Sequence, residues 1–266
     1  MKTRTITGLV ALLVLLPIVW YGSWPLVLGT AAMGVIGVSE MFAMKKKNFW
    51  SLTGILTSLA TVMIIVPTTY LSFLPQGIDI TTVFFLFAMT LLVMTVLSKN
   101  DFTFDDAGVF LLAAIYIGTG FHYFLQTALF SFRMVLFVLL LIWATDIGAY
   151  LVGKQFGKIK LAPVISPNKT IEGSLGGMVL SVICGILFIQ WYNPLNLSIP
   201  IVILLAVLTS IVGQLGDLTE SAYKRYFGVK DSGKILPGHG GILDRFDSML
   251  FVMPLFQLLL AIFNIN

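Results

Sequence analysis

Charge is scarce in this chain. Lys, Arg, Asp and Glu together make up 11% of its 266 residues, whereas a soluble globular domain carries roughly a quarter. That shortage excludes an ordinary water-soluble fold. Cysteine is scarcer still: the single thiol, Cys184, excludes an internal disulfide and reads as a buried apolar residue. With only two histidines, no His/Cys cluster of the zinc type occurs. Neither a Walker A phosphate loop nor a nucleophile elbow occurs. There is also no linker, low-complexity tract or clear internal repeat.

In their place stand long apolar runs. Hydrophobic side chains make up 58% of the sequence, and the mean hydropathy is +0.99. A bilayer core needs about 20 apolar residues per spanning helix. The runs at 5–22, 25–44, 51–73, 80–98, 107–130, 134–153, 173–191, 199–222 and 248–264 meet that need or approach it. Lipid offers the backbone no hydrogen-bond partners, so the spans are expected to be helices. The fold expected is therefore an all-α polytopic integral membrane protein of about nine transmembrane helices, its cytoplasmic loops forming a polar site. The first run could pass for a secretion signal, but no small-residue cleavage site follows promptly and a second run arrives at once, so it reads as a retained helix.

Alternating the loops from a cytoplasmic N-terminus places Lys2, Arg4, Lys45–Lys47, Lys99, Lys154, Lys158, Lys160, Lys169, Lys224, Arg225, Lys230, Lys234 and Arg245 on one side. Of the sixteen basic residues only Arg133 falls on the other. Basic residues concentrate in cytoplasmic loops, so the expected location is the cell membrane, multi-pass, with N-terminus and polar loops in the cytoplasm. The net charge of +4 is explained by those loops facing anionic lipid, and nucleic acid is not implied. Residues 1–266 read as one membrane domain, with 1–133 mainly scaffold and 134–266 the working half.

Ionisable groups inside a span are expensive and are functional candidates by default. Glu40 lies near the membrane edge and reads as a snorkelling or Lys45–Lys47-paired carboxylate at least as readily as part of a site, and it has no assigned role. His122 reads as a polar contact between helices. Asp146 is joined by Tyr150 and Lys154 at successive i, i+4 positions. Either these are its partners, or it forms the polar wall of a cytoplasm-facing cavity. Asp217 shares one helical face with Glu220, Ser221 and Lys224, and Gly213 and Gly216 permit close packing of another helix. A salt bridge between Asp217 or Glu220 and Lys224 is the plain alternative. Such a pair contributes roughly 0.2–0.5 kcal/mol, a poor reason to place a carboxylate in a span, so Asp217 reads as a metal ligand.

The stretch from Ser221 to Asp247 holds Lys224, Arg225, Lys230, Asp231, Lys234, Asp244, Arg245 and Asp247, together with His239. A positive-inside loop needs cations but has no need of carboxylates. Asp244 and Asp247 are spaced i, i+3, on one face if helical, ~5–6 Å apart. Magnesium takes one or two carboxylates and leaves positions for substrate phosphates. Asp217, Asp244 and Asp247 are thus the expected metal ligands, and Lys224, Arg225, Lys230, Lys234 and Arg245 the expected phosphate ligands. His239 lies between glycines that let the backbone bend towards a ligand. In the earlier loop, Ser166 with Pro167, or Thr170 slightly later, can cap a helix whose N-terminus, with Lys169, suits an anion. An ordinary capped helix beside lipid headgroups explains the same residues.

Ser221, Lys224-Arg225, Lys230-Asp231, Gly233, Pro237, His239-Gly240-Gly241, Asp244-Arg245 and Asp247 together resemble the signature of the bacterial phosphatidate cytidylyltransferase (CDP-diacylglycerol synthase) family. The upstream runs DIGAYLVGKQFGK (146–158) and SPNKTIEGSLGG (166–177) are similar to its second recurring block, with Asn168 where a second Lys is common. The likeness is strong over about 143–250. It implies transfer of CMP from CTP to phosphatidate at the membrane, giving CDP-diacylglycerol and pyrophosphate. It also implies a magnesium-assisted attack of the lipid phosphate on the α-phosphorus, a second and monovalent cation such as potassium, and a homodimer. Under that resemblance Lys169, Ser166 and Asp146 join the substrate-binding set and His239 orients a phosphate. A CTP-dependent lipid kinase would share the metal and nucleotide sites but transfer the γ-phosphate. A cation-coupled transporter would account for Asp146 and Asp217 but not for the charged loop.

Overall fold

The computed structural model describes residues 13, 16–70, 80–193 and 196–263. Its helices are α1 (Ser23–Met44), α2 (Leu52–Ile65), α3 (Ile80–Leu97), α4 (Phe104–Phe130), α5 (Phe132–Phe156), α6 (Ile171–Trp191), α7 (Ile199–Tyr226) and α8 (Leu243–Ile262). A hairpin of β1 (Lys160–Ala162) and β2 (Ser166–Thr170) joins α5 to α6. Seven of the eight helices are long and apolar enough to cross a membrane. The expected first span, 5–22, lies largely outside the described residues, as do Lys2 and Arg4.

The third expected span is shorter than its apolar run. α2 has 14 residues, about 21 Å at 1.5 Å per residue, against a hydrocarbon core of about 30 Å. Pro67 ends it. Val66 takes the extended conformation (φ −73°, ψ 126°) that a following proline imposes. Hydropathy saw a continuous run where backbone sterics impose a stop.

The packing divides the chain into two compact units, the residues up to Gln126 with Asp231–Arg245, and Thr127–Lys230 with the residues from Phe246 onward. The segment Asp231–Arg245, which the sequence groups with the C-terminal half, thus packs with the N-terminal unit. In that unit α1 lies against α2 and α2 against α3. Phe42 stacks on Phe110 with centroids 3.7 Å apart. Lys45 and Lys47 both reach Asp106, at 3.3 and 3.1 Å, so two of the three lysines that follow Glu40 are paired with another carboxylate. His122 Nδ1 meets the Ile65 carbonyl at 3.1 Å, the interhelical contact expected of it.

In the second unit α5 and α6 form the most extensive helix pair, and α7 packs on both. Glycine permits the close approach: Gly177 faces the Thr145 carbonyl, Gly173 the Ala149 carbonyl, and Gly148 the backbone at Gly176 and Gly177. The half-buried Cys184 thiol is free on α6. In the hairpin, Lys160 pairs with Thr170 and Ala162 with Ser166. Ser166-Pro167 therefore begins a strand, and the helix start falls to Thr170, whose Oγ1 accepts from Gly173 N at 3.1 Å. Thr170→Val keeps the shape and removes that acceptor. We expect a loss of about 1 kcal/mol, read as a lowered thermal midpoint in detergent; an unchanged midpoint would mean the cap contributes nothing.

Candidate functional site

The second unit gathers charge where α7, α8 and β2 meet. Gly216 brings α7 directly against the main-chain oxygen of Asp247 and the side chain of Phe251, and Gly213 faces Ser248 and Val252. These two small residues place Asp217 beside the first turns of α8, as their spacing suggests. Lys169 reaches from β2 to pair with Asp217, Nζ to Oδ2 2.6 Å, and Ser221 Oγ donates to Asp217 Oδ1 at 3.4 Å. The half-buried Asp247 accepts from Ser248 N at 2.6 Å. It lies within electrostatic reach of Asp217 and Asp146, both of like charge, and of Lys169, which opposes them. Three carboxylates thus share one neighbourhood with one ammonium. Lys154 lies over the Tyr150 ring, 5.8 Å from its centroid.

The remaining cations of this unit are placed unequally. Lys224 pairs with Glu220, both largely buried at 12% and 2% side-chain exposure. The plain reading of that i, i+4 pair is therefore realised, through Glu220 and not Asp217. Arg225 is exposed and donates from Nη1 to the Val229 carbonyl at 3.2 Å, closing the end of α7, while Gly228 turns the chain with φ +69°. Lys230 is exposed, and Ser166 is half-buried opposite Ala162. Glu172, unremarked in the sequence, accepts from Lys158 N and Ile159 N at the hairpin base. A carboxylate therefore already uses the loop amides beside the expected anion site.

In the first unit the segment Asp231–Arg245 is an ordered loop. Leu236 N donates to the Gly240 carbonyl at 3.0 Å and His239 N to the Leu236 carbonyl at 2.8 Å. Gly238 and Gly240 supply the positive φ this turn requires, +79° and +84°. His239 Nδ1 is buried without a hydrogen-bond partner among the described residues, a condition that invites a ligand. Lys234 and Arg245 are exposed. Asp244 Oδ2 accepts from Ser232 N (2.8 Å), Gly241 N (2.7 Å) and Ser232 Oγ (2.9 Å).

Among the described residues no three His, Cys, Asp or Glu side chains converge as a metal-ligand set. Asp217 and Asp247 belong to the second unit, and Asp244, in the first, accepts at Oδ2 from the amides of its own loop. The i, i+3 spacing of Asp244 and Asp247 could not reveal this, because the donors to Asp244 come from a loop whose path spacing does not specify. Glu40 is the residue sequence reasoning misplaced. It is neither snorkelling nor paired with lysine, but buried at 5% exposure and bonded to Ser232, Ile242 and Leu243. Its signal in the sequence is a carboxylate within an apolar span.

Across residues 2–263 the sequence matches the family model described as the cytidylyltransferase family. It is 45% identical over 262 residues to the phosphatidate cytidylyltransferase of Staphylococcus epidermidis, covering 98% of this chain and 99% of that relative. Against the Bacillus subtilis protein of the same name it is 45% identical over 267 residues, 99% of each. A Staphylococcus aureus relative, again of that name, is 43% identical over 262 residues, 98% of this chain and 99% of the other.

Proposed function

The chain belongs to the cytidylyltransferase family, and from that premise we propose that it transfers CMP from CTP to phosphatidate, leaving CDP-diacylglycerol in the membrane and releasing pyrophosphate. The observation that carries the mechanism is the Lys169–Asp217 ion pair, with Asp247 on the adjoining helix turn packed against Gly216, in helices long enough to span the bilayer. A lone pair on a phosphatidate phosphate oxygen forms a bond to the CTP α-phosphorus. The bond from that phosphorus to the bridging oxygen breaks, and its electrons leave with pyrophosphate. Both reactants are anions, so the protein's tasks are to neutralise charge and align the groups. The lipid phosphate is already ionised near neutral pH, and no strong base is needed.

Asp217 and Asp247 supply paired carboxylate oxygens, a donor set that fits magnesium when substrate phosphates complete its shell. Bound there, the ion would offset charge on the nucleotide phosphates and the departing pyrophosphate. Lys169, held on Asp217, is placed to pass its ammonium to an incoming phosphate. Lys230, Lys234 and Arg245, exposed and forked or flexible, contact phosphate oxygens, with Lys224, Arg225 and Ser166 as further contacts. Asp244 stiffens the loop that carries Arg245, and His239 offers its unpartnered Nδ1 to orient a phosphate. A second, monovalent cation and a homodimer belong to the same reading. So does a cytoplasmic location for the loops, supported by the one-sided placement of the basic residues.

The test uses purified protein in detergent micelles with phosphatidate, magnesium and CTP labelled at either the α- or the γ-phosphorus. Label from the α position should enter the lipid, and label from the γ position should leave as pyrophosphate. Lipid labelled from the γ position would establish the kinase instead, and no labelled lipid from either would defeat the enzyme reading.

A further inference from the structure

Glu40 belongs to none of the chemistry above, yet its surroundings are built around it. Ile242 N donates to Oε1 at 2.7 Å, Leu243 N to Oε2 at 2.9 Å, and Ser232 Oγ to Oε2 at 2.8 Å. The same serine hydroxyl stands 2.9 Å from Asp244 Oδ2, which also takes the amides of Ser232 and Gly241. Two carboxylates are therefore held by four backbone amides and one shared hydroxyl. A buried carboxylate is costly unless its lone pairs are bonded, and here they are. Gly233 and Gly241 make the approach possible, because a Cβ at either would fall on the Glu40 carboxylate.

The role goes beyond helix capping. A helix start is ordinarily capped by a residue next to it in sequence, and Asp244 already performs that service through Gly241 N. Glu40 comes from α1, about two hundred residues earlier, and takes the next two amides of α8. It ties the loop at both Ser232 and Ile242–Leu243 to a membrane helix, fixing where Asp244 and Arg245 begin. With three successive amides occupied by protein carboxylates, the start of α8 is also closed to an incoming phosphate.

We propose that Glu40 is a positioning residue for the transfer, acting through Ser232 and Asp244; this rests on the reading under Proposed function. Glu40→Gln keeps volume but must turn an amide nitrogen towards one of the two backbone donors or the serine. Turnover of CTP and phosphatidate should fall about thirtyfold, the size expected for one charge-assisted hydrogen bond. The KM for CTP should move by less than about threefold, since no substrate contact is lost. Because Glu40 acts through Asp244, Glu40→Gln added to Asp244→Asn should slow the enzyme little further. Multiplicative losses would overturn the proposal, as would a Glu40→Gln enzyme with wild-type turnover.

Amide exchange across 232–243 supplies a readout independent of activity. Glu40→Gln should speed it about tenfold while leaving α5 and α6 unchanged, at the size expected for a lost anchor. Unchanged exchange would remove the anchor whatever the catalytic result. If the wild type makes no CDP-lipid, the functional reading fails and the exchange experiment still decides the anchor. Should Glu40→Gln fail to fold, Ser232→Ala removes only the shared hydroxyl. It should cost about fivefold in turnover, again without adding to Asp244→Asn, and wild-type turnover in it would overturn the proposal.

Discussion

Asp247→Asn is expected to reduce CDP-lipid formation by on the order of 10³-fold, several kcal/mol of transition-state stabilisation, while the protein remains folded. Asparagine keeps the volume and can still accept from Ser248 N, as Asp247 does at 2.6 Å. What it removes is one negative charge from a neighbourhood that Asp217 and Asp146 already make negative. Stability should therefore hold or rise as activity collapses. That opposition separates a functional carboxylate from a structural one, whose loss would lower both. Asp217→Asn should fall as far in rate, but it also strips Lys169 of its 2.6 Å partner, so its thermal midpoint should drop. Initial rates with saturating CTP and phosphatidate, alongside thermal unfolding in the same detergent, read both quantities. Turnover within tenfold of wild type in either variant would remove that residue from the site.

The second large effect is on folding. Gly177 sits where a Cβ would meet the Thr145 carbonyl and the Ala149 side chain, and its neighbour Gly176 faces Val152. Carbonyls in two packed helices cannot rotate away as a side chain can. Gly177→Ala should cost about 1–3 kcal/mol, the range for overpacking, seen as a thermal midpoint several degrees lower. Gly177→Leu must separate α5 from α6, and we expect it not to be recovered as a monodisperse protein. Because α5 carries Asp146 and the hairpin after it carries Lys169, the alanine variant should also lose activity beyond its loss of folded protein. A wild-type midpoint for Gly177→Ala would show that the two backbones do not approach so closely.

These contrasts show where sequence was sufficient. Its composition and apolar runs determined the helical membrane class, because lipid leaves the backbone no alternative. Gly213, one turn before Asp217, and Gly216, immediately before it, marked a close helix contact, and the turn at PGHGG could be read from its glycines. The spacing of the charged motifs pointed to the family. All of this is local information, set by a residue's neighbours within a turn or two.

Only the tertiary structure decided which donors each carboxylate takes. The i, i+3 spacing of Asp244 and Asp247 is visible along a chain, whereas the amides of Ser232 and Gly241 that bond Asp244 are placed by a loop fold. Along the chain Glu40 stands beside Lys45–Lys47, though Lys45 and Lys47 belong to Asp106 and Glu40 to a helix start some two hundred residues away. Hydropathy extended the third span past Pro67, where the backbone stops. Hydrophobicity and periodicity are properties of a segment and survive being read alone. A hydrogen bond between distant segments depends on the path of both, and that path exists only once the chain has packed.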